Sequence, residues 1–256
     1  MEALEANRSE GDVDKLVKAR FFPDSKGLMV DIGAARPDYI STSAHFRLHG
    51  WTVLSIEPNP IYDEHYERLG IERIPYAIGG HDEDNVDFTI VNSHETEYEG
   101  GNVTYESFSS FSIKKRYANL KSDLDVTTIK VNMRMVDTIL QERGIEAVDI
   151  VSVDVEGWEL EALSSLTICR PKVLIVENLF YERSYKAFMD SRGYTMWRRI
   201  YPNEVYVLPS QLSYVERLYS WWHESYTYFS AHLSITSGKL QRFLVRSIRN
   251  TIATKG

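Results

Sequence analysis

Leu28-Met-Val-Asp-Ile-Gly-Ala-Ala-Arg-Pro37, followed by Trp51-Thr-Val-Leu-Ser-Ile-Glu-Pro58, is the stretch that decides the fold. A short apolar run from Leu28 to Ile32 ends in Asp31 and Gly33, a helical stretch is expected next, and a second apolar run from Val53 to Ile56 stops at Glu57. The order is strand, tight turn, helix, strand, acid, which opens a nucleoside-binding α/β domain. Ligands of a parallel sheet sit beyond the carboxyl ends of its strands, where the first turn must bring backbone close, so a residue without Cβ suits Gly33. A carboxylate closing the second strand can accept hydrogen bonds from both hydroxyls of a ribose. The turn Gly33-Ala-Ala-Arg-Pro-Asp38 lacks the second and third glycines of a dinucleotide fingerprint, which disfavours NAD. A nucleoside without phosphate, such as S-adenosylmethionine, tolerates this turn, and Asp31 is placed to meet its cationic amino-acid end. The plainer alternative is any parallel α/β domain with a tight first turn.

The pattern continues outward from that stretch. Residues 1 to 26 read as a polar lead-in with one short helix from Val13 to Ala19, and Pro23-Asp-Ser-Lys-Gly27 is a turn. Beyond Glu57 come a helix from Ile61 to Leu69 and a third strand from Ile71 to Ile78. Strand-like alternation at Val86 to Val91 and Thr127 to Met133 lies within residues 81 to 135, read as an insertion and candidate acceptor region. A helix from Val136 to Arg143, a strand from Val148 to Asp154, a helix from Glu159 to Leu166, a strand from Pro171 to Glu177 and a helix from Tyr181 to Ser191 follow. The strands Tyr194 to Ile200 and Glu204 to Leu208, joined by Tyr201-Pro-Asn203, read as a hairpin that puts one antiparallel strand in an otherwise parallel sheet. Near-continuous apolar strands alternating with helices mean a sheet covered on both faces. The expectation is an α/β domain over 27 to 210, with a mostly parallel seven-stranded sheet, followed by a helical extension over 211 to 256.

Composition narrows the class. With 256 residues, 43% of them hydrophobic, the chain can fill a sizeable core. Its single cysteine, Cys169, leaves no internal disulfide or cysteine-based zinc site, and no apolar run has signal-peptide or membrane-spanning length. A cytoplasmic protein is the expectation. The formal net charge of -8 argues against general nucleic-acid binding. Residues 235 to 256 depart from that balance, with Lys239, Arg242, Arg246, Arg249 and Lys255 and no acid. Leu240, Phe243, Leu244, Ile248 and Ile252 share the opposite side, so this helix could lie peripherally on an anionic membrane or a partner protein. Packing on the enzyme body or on a second subunit explains the same pattern and is the better reading.

The chemistry concentrates at strand ends. Asp154-Val-Glu156-Gly157-Trp158-Glu159 closes the fourth core strand, and if that strand persists, Asp154 and Glu156 point the same way. Paired carboxylates there could hold an ammonium, bind a divalent cation or take a proton from a hydroxyl; the sequence does not require the cation. Glu159 is expected only to favour a helix N-terminus. Glu177 closes the fifth strand on the same edge, either facing the crevice or ending in solvent. His45 and His49 have metal-binding spacing but no third ligand nearby in sequence, so surface or packing roles are expected. No nucleophile elbow or phosphate loop is present, which removes the usual support for hydrolase and nucleotide-phosphate readings.

Together, Val30-Asp-Ile-Gly-Ala-Ala-Arg-Pro37, Gly50-Trp51, Ile56-Glu-Pro-Asn-Pro60, Ala77-Ile-Gly79, Asp154-Val-Glu-Gly-Trp-Glu-Leu160 and Val173-Leu-Ile-Val-Glu177 resemble the FkbM family of S-adenosylmethionine-dependent methyltransferases. The resemblance covers roughly residues 28 to 208 and is most specific at Asp154 to Gly157. It implies a Rossmann-like methyltransferase fold and O-methylation of a hydroxyl, on a sugar or glycan or on a polyketide-like or other small natural product. It implies that Asp31, Gly33, Ala34, Ala35 and Ser41 line the methionine end, Glu57 with Pro58 and Asn59 the ribose, and Ala77 with Ile78 the adenine side. Asp154 would face the sulfonium, and Asp154, Glu156 or Glu177 would act as general base. Many relatives carry Asn and Gly where this chain has Ala35 and Pro37. The segment from Asn92 to Ser112, rich in hydroxyl and aromatic groups, is the candidate acceptor wall. The competing class is a scaffold that keeps the fold without transfer and binds a glycosyltransferase or a membrane.

Overall fold

A computed structural model describes residues 9 to 92 and 125 to 219. The strands are β1 (Leu28–Ile32), β2 (Thr52–Ile56), β3 (Arg73–Ile74), β4 (Tyr76–Ile78), β5 (Glu83–Asn92), β6 (Asp125–Arg134), β7 (Ile150–Val153), β8 (Val173–Glu177), β9 (Thr195–Ile200) and β10 (Asn203–Val207). The helices are α1 (Val13–Phe21), α2 (Ala44–Leu48), α3 (Asp63–Leu69), α4 (Val136–Glu142), α5 (Glu159–Ser164) and α6 (Arg183–Ser191).

Seven strands form the central sheet in the order β3-β2-β1-β7-β8-β10-β9. All neighbours pair in parallel except β10, which runs antiparallel to both β8 and β9, so the expected hairpin and its one reversed strand are present. β7 (IVSV) and β8 (VLIVE) are buried along their whole length, because both of their faces are covered.

Alternate residues of each strand feed two different cores. Val30, Ile32, Val151, Val153, Leu174 and Val176 pack with Ile139 and Leu140 of α4, Leu163 of α5 and Met189 of α6. Met29, Ile150, Val173, Ile175, Val205 and Val207 pack on the other face with Val13 and Val17 of α1, Phe46 of α2, and Trp51 and Trp197. The amino-terminal segment, read from sequence as a polar lead-in, therefore supplies a helix to the second core. The reason is that Val13 and Val17, four apart on one helix face, are fully buried.

Three local readings differ from the sequence expectation. The third strand is split at Pro75: β3 stays at the edge of the main sheet, while β4 begins a separate three-stranded sheet of order β4-β6-β5. Proline has no N–H to donate to a ladder, so a strand breaks there readily. The stretch after the first turn is mostly irregular, and only Ala44–Leu48 is helical. Positive φ at Gly33, Ala35 and Ile40, with Pro37 between them, prevents an earlier start. Of the extension over 211 to 256, Leu212 is buried in the second core and 214 to 219 are helical; the rest, including the basic stretch, lies outside the described residues. No helix among the described residues is long and apolar enough to cross a membrane.

Candidate active site

In the central sheet β2 and β3 step away from β1 on one side while β7 and β8 step away on the other. A crevice forms outside the strand carboxyl ends at such a reversal, since the flanking loops are drawn apart there. A cavity of about 520 Å³ occupies this position. Asp31, Gly33, Ala34, Ala35 and Ser41 line it from the β1 side, and Asp154, Glu156 and Glu177 from the β7 and β8 side.

The first turn is locked by backbone geometry. Gly33 has φ 74°, and its N–H donates to Ile56 O at 2.9 Å, with Ala34 N–H following to the same carbonyl at 3.2 Å. A Cβ at Gly33 would lie 1.7 Å from Asp154 O, so the end of β1 touches the end of β7. Ala35 has φ 42°. Asparagine enters this left-handed region more readily than alanine, so Ala35 holds a strained backbone position in the turn.

The second wall is not the continued strand that the alternation predicts. β7 stops at Val153, and a tight turn follows in which Glu156 (φ 57°) and Gly157 (φ 96°) are both left-handed. The two carboxylates reach the crevice through this turn rather than through strand periodicity. Glu159 corrects a second expectation. It is fully buried, and its Oε1 accepts from Gly157 N–H at 2.7 Å and Val155 N–H at 3.2 Å, while Oε2 accepts from the Tyr185 hydroxyl. Glu159 thus fastens the turn that carries Asp154 and Glu156.

Carboxylate oxygens of Asp154, Glu159 and Glu177 lie within 4.8 Å of one another. Asp154 is exposed and lines the cavity; the other two are buried. The Asp154 and Glu177 carboxyl groups are thus neighbours in one cluster of acids. Burial, and then the neighbouring acids, push both groups well above the ordinary carboxylate range. The cluster is all oxygen, the donor set that Mg²⁺ and Ca²⁺ take, so these three residues could hold a divalent cation. The two histidines join no such cluster among the described residues. Their ring centroids lie 4.1 Å apart with the planes tilted by 48°, and His49 Nδ1 lies 2.8 Å from His45 O.

Asp31 is buried at the floor, where burial raises its pKa against hydrogen bonds from Ser43 and Ser152 and the charge of Arg47. Glu57 lies behind the turn: Oε2 accepts from Ala35 N–H at 3.0 Å and Oε1 from Asn59 N–H at 2.7 Å. It does not line the cavity, and neither do Pro58, Asn59, Ala77 or Ile78. Ala77 and Ile78 are buried in two separate cores. Sequence reasoning missed Glu10, Arg36, Tyr39, Phe180, Tyr201 and Asn203, all of which line the cavity. The pair Tyr201 and Asn203 had a signal, because a hairpin turn next to a strand-end carboxylate must overhang it. Glu10 had none. The segment 92 to 112, the expected acceptor wall, lies outside the described residues.

Burial pushes Glu57 from its ordinary 4.5 up to about 7, against hydrogen bonds from Asn59 and Ala35. A folded-state pKa above the unfolded one means that its stabilisation is complete below about 4.5 and is lost as pH rises through 7. Asp154 and Glu177 act in the same direction. His45, held down to about 4 first by burial and then by His49, stays neutral above pH 6. Raising the pH from 6.5 to 8 should therefore destabilise the protein, most steeply up to about pH 7, where Glu57 loses its proton in the folded state. Thermal unfolding of wild type and Glu57→Gln measures this: the variant should show the shallower slope, and a wild-type Tm that climbs with pH would contradict it.

Residues 31 to 201 match the family described as Methyltransferase FkbM domain. Comparison with curated proteins returns no match.

Proposed function

This chain belongs to the FkbM family of methyltransferases, and from that premise we propose that its crevice binds S-adenosylmethionine and directs the methyl group to a hydroxyl of a sugar or glycan. The observation that carries the reading is the meeting of Asp31, the Gly33 turn, Asp154 and Glu177 around one cavity at the sheet reversal. About 520 Å³ is within the range of roughly 300 to 1,000 Å³ typical of small-molecule pockets.

The donor set fits the amino-acid end of that cofactor, which carries an ammonium and a sulfonium. Asp31 and Asp154 would hold it there, with the backbone of Gly33, Ala34 and Ala35 and the hydroxyl of Ser41 alongside. Glu57 braces the first turn from behind, through the Ala35 and Asn59 backbone N–H groups, rather than from the cavity wall. Bound, the cofactor supplies an electrophilic methyl group on sulfur.

The chain's part is to orient an acceptor and to take its proton. A hydroxyl beside Asp154 would lose its proton to the Asp154–Glu177 pair as its oxygen forms the C–O bond, while the S–CH3 bond breaks with its electrons remaining on sulfur. Raised pKa values suit the pair to this work, since a carboxylate held above its ordinary range is a stronger base than one in water. Orientation adds much of the rate, because reacting atoms held in line avoid an entropic penalty.

Isothermal calorimetry with S-adenosylmethionine and its demethylated product is the test. Both should bind, and labelled methyl should then pass to a member of a sugar and glycan panel. Binding of neither compound would sink the enzyme reading in favour of a non-catalytic scaffold; binding without transfer to any saccharide would redirect the search to small natural products.

A further inference from the structure

Glu10 lies outside the stretch that matches the family, in the short turn before α1, yet it lines the same cavity as Asp154, Glu177 and Tyr201. Its position is built rather than incidental. Asp12 N–H donates to Ser9 O at 3.1 Å, and Ser9 Oγ donates to the buried Asp14 Oδ1 at 2.5 Å. Gly11, at φ 62°, sits so close to the β9–β10 hairpin that a Cβ would lie 2.5 Å from Ile200 Cγ2 and 3.6 Å from Tyr201 O. α1 then anchors the turn through Val13 and Val17, both fully buried in the second core.

The wall reached by this turn faces away from the β1 side. Phe180, Tyr201 and Asn203 stand there beside Glu177. Tyr201 is 57% exposed, and its ring stacks on Tyr181 with centroids 6.2 Å apart. The Arg199 guanidinium lies over both rings, 3.5 Å from the Tyr181 centroid and 5.7 Å from that of Tyr201, and is itself pinned to buried Glu204. An aromatic face held this firmly, next to carboxylates, suits a polyhydroxylated ring. Glu177 is buried, and its Oε2 has no hydrogen-bond partner among the described residues, so an acceptor remains to be satisfied at the cavity wall.

Charge decides which ring. The cavity is lined by Glu10, Asp31, Asp154, Glu156 and Glu177 against a single guanidinium, Arg36, whose Nε lies 3.2 Å from Asp38 Oδ1. Although burial raises the pKa of Glu10, the lining therefore offers an anionic group almost no cation to meet and several acids that repel it as they ionise. We propose that Glu10 is a specificity residue of the acceptor subsite, admitting neutral or cationic polyols and rejecting acceptors that carry phosphate or carboxylate. The proposal rests on the methyltransferase reading of the crevice. At an effective dielectric near 20, one unit charge within several ångströms alters the affinity of an ionic ligand by roughly tenfold or more.

Saturation-transfer NMR on the full chain, saturated with S-adenosylhomocysteine, tests it with methyl glycosides of glucose, galactose and mannose set against glucose 6-phosphate and methyl glucuronoside. Calorimetry with S-adenosylhomocysteine comes first, so that failure to bind it counts against the methyltransferase reading itself. With cofactor bound, a neutral glycoside should bind at least tenfold more tightly than either anionic probe. Glu10→Lys should shrink that ratio at least fivefold, and Glu10→Gln by a smaller factor in the same direction, with thermal melts confirming that both variants fold. Tyr201→Ala should weaken the neutral glycoside, and Tyr201→Phe should retain it. Anionic probes binding wild type as well as neutral ones, a ratio indifferent to Glu10, or no saccharide binding to the cofactor-loaded protein would each overturn the proposal.

Discussion

Asp154→Asn is expected to lower methyl transfer by roughly 10² to 10⁴-fold, the usual contribution of a positioned general base. Asparagine has the same shape but cannot take a proton. The Glu159 brace and the contact between Gly33 and the Asp154 carbonyl involve other atoms, so the turn keeps its form. Cofactor affinity should accordingly change by no more than about tenfold, or about 1.4 kcal/mol, since Asp31 and the first turn remain. Single-turnover transfer and calorimetric Kd, measured on the same preparation, separate the two quantities. Turnover equal to wild type would remove Asp154 from the mechanism and leave Glu177 or Glu156 as the base. Transfer and binding lost together would make Asp154 a cofactor anchor alone.

Gly33→Ala should be the most damaging single substitution at the site. The added Cβ would stand 1.7 Å from Asp154 O, which is backbone and cannot swing aside, and the residue would be forced to keep φ 74°. Relief requires the end of β1 to leave β7, breaking the Ile32 and Val153 register and the hydrogen bond from Gly33 N–H to Ile56 O. A cost above about 4 kcal/mol is expected, in the tail of point-mutant effects reserved for such clashes. For a domain of this size that is a fall in Tm of roughly 10 °C or more, with cofactor binding lost as well. Gly70→Ala is the control: Gly70 also has a left-handed φ, 63°, but nothing lies within 4 Å of its Cβ position. It should cost only about 1 kcal/mol. A Gly33→Ala protein that melts with wild type would show that the two strand ends do not meet as described.

Much of this site was legible along the chain because its parts are local. Leu28 to Gly33 shows an apolar run ending in a residue able to turn left-handed, Asp154 to Gly157 shows acids followed by a glycine, and Tyr201 to Asn203 shows a hairpin. Each signal spans a few residues, where periodicity and turn chemistry act directly. Glu159 was misread because a carboxylate at a helix start looks the same whether it faces water or is sealed under a neighbouring tyrosine. The third strand was misread because the apolar pattern from Ile71 to Ile78 passes through Pro75 without a visible break, although the backbone ladder cannot.

By itself the sequence determined the family, the seven-stranded sheet with its reversed strand, and the edge of that sheet at which the acids gather. Periodicity and glycine placement are properties of short segments, so they survive without coordinates. Only the tertiary structure decided that Glu10, 144 positions before Asp154 in the chain, shares a cavity with it, that Glu57 and Ala77 lie behind rather than along its wall, and that Asp154, Glu159 and Glu177 bring carboxylate oxygens within 4.8 Å of one another. Those facts depend on enclosure and on distances through space, and burial shifts a carboxylate according to everything packed around it, which no local pattern encodes.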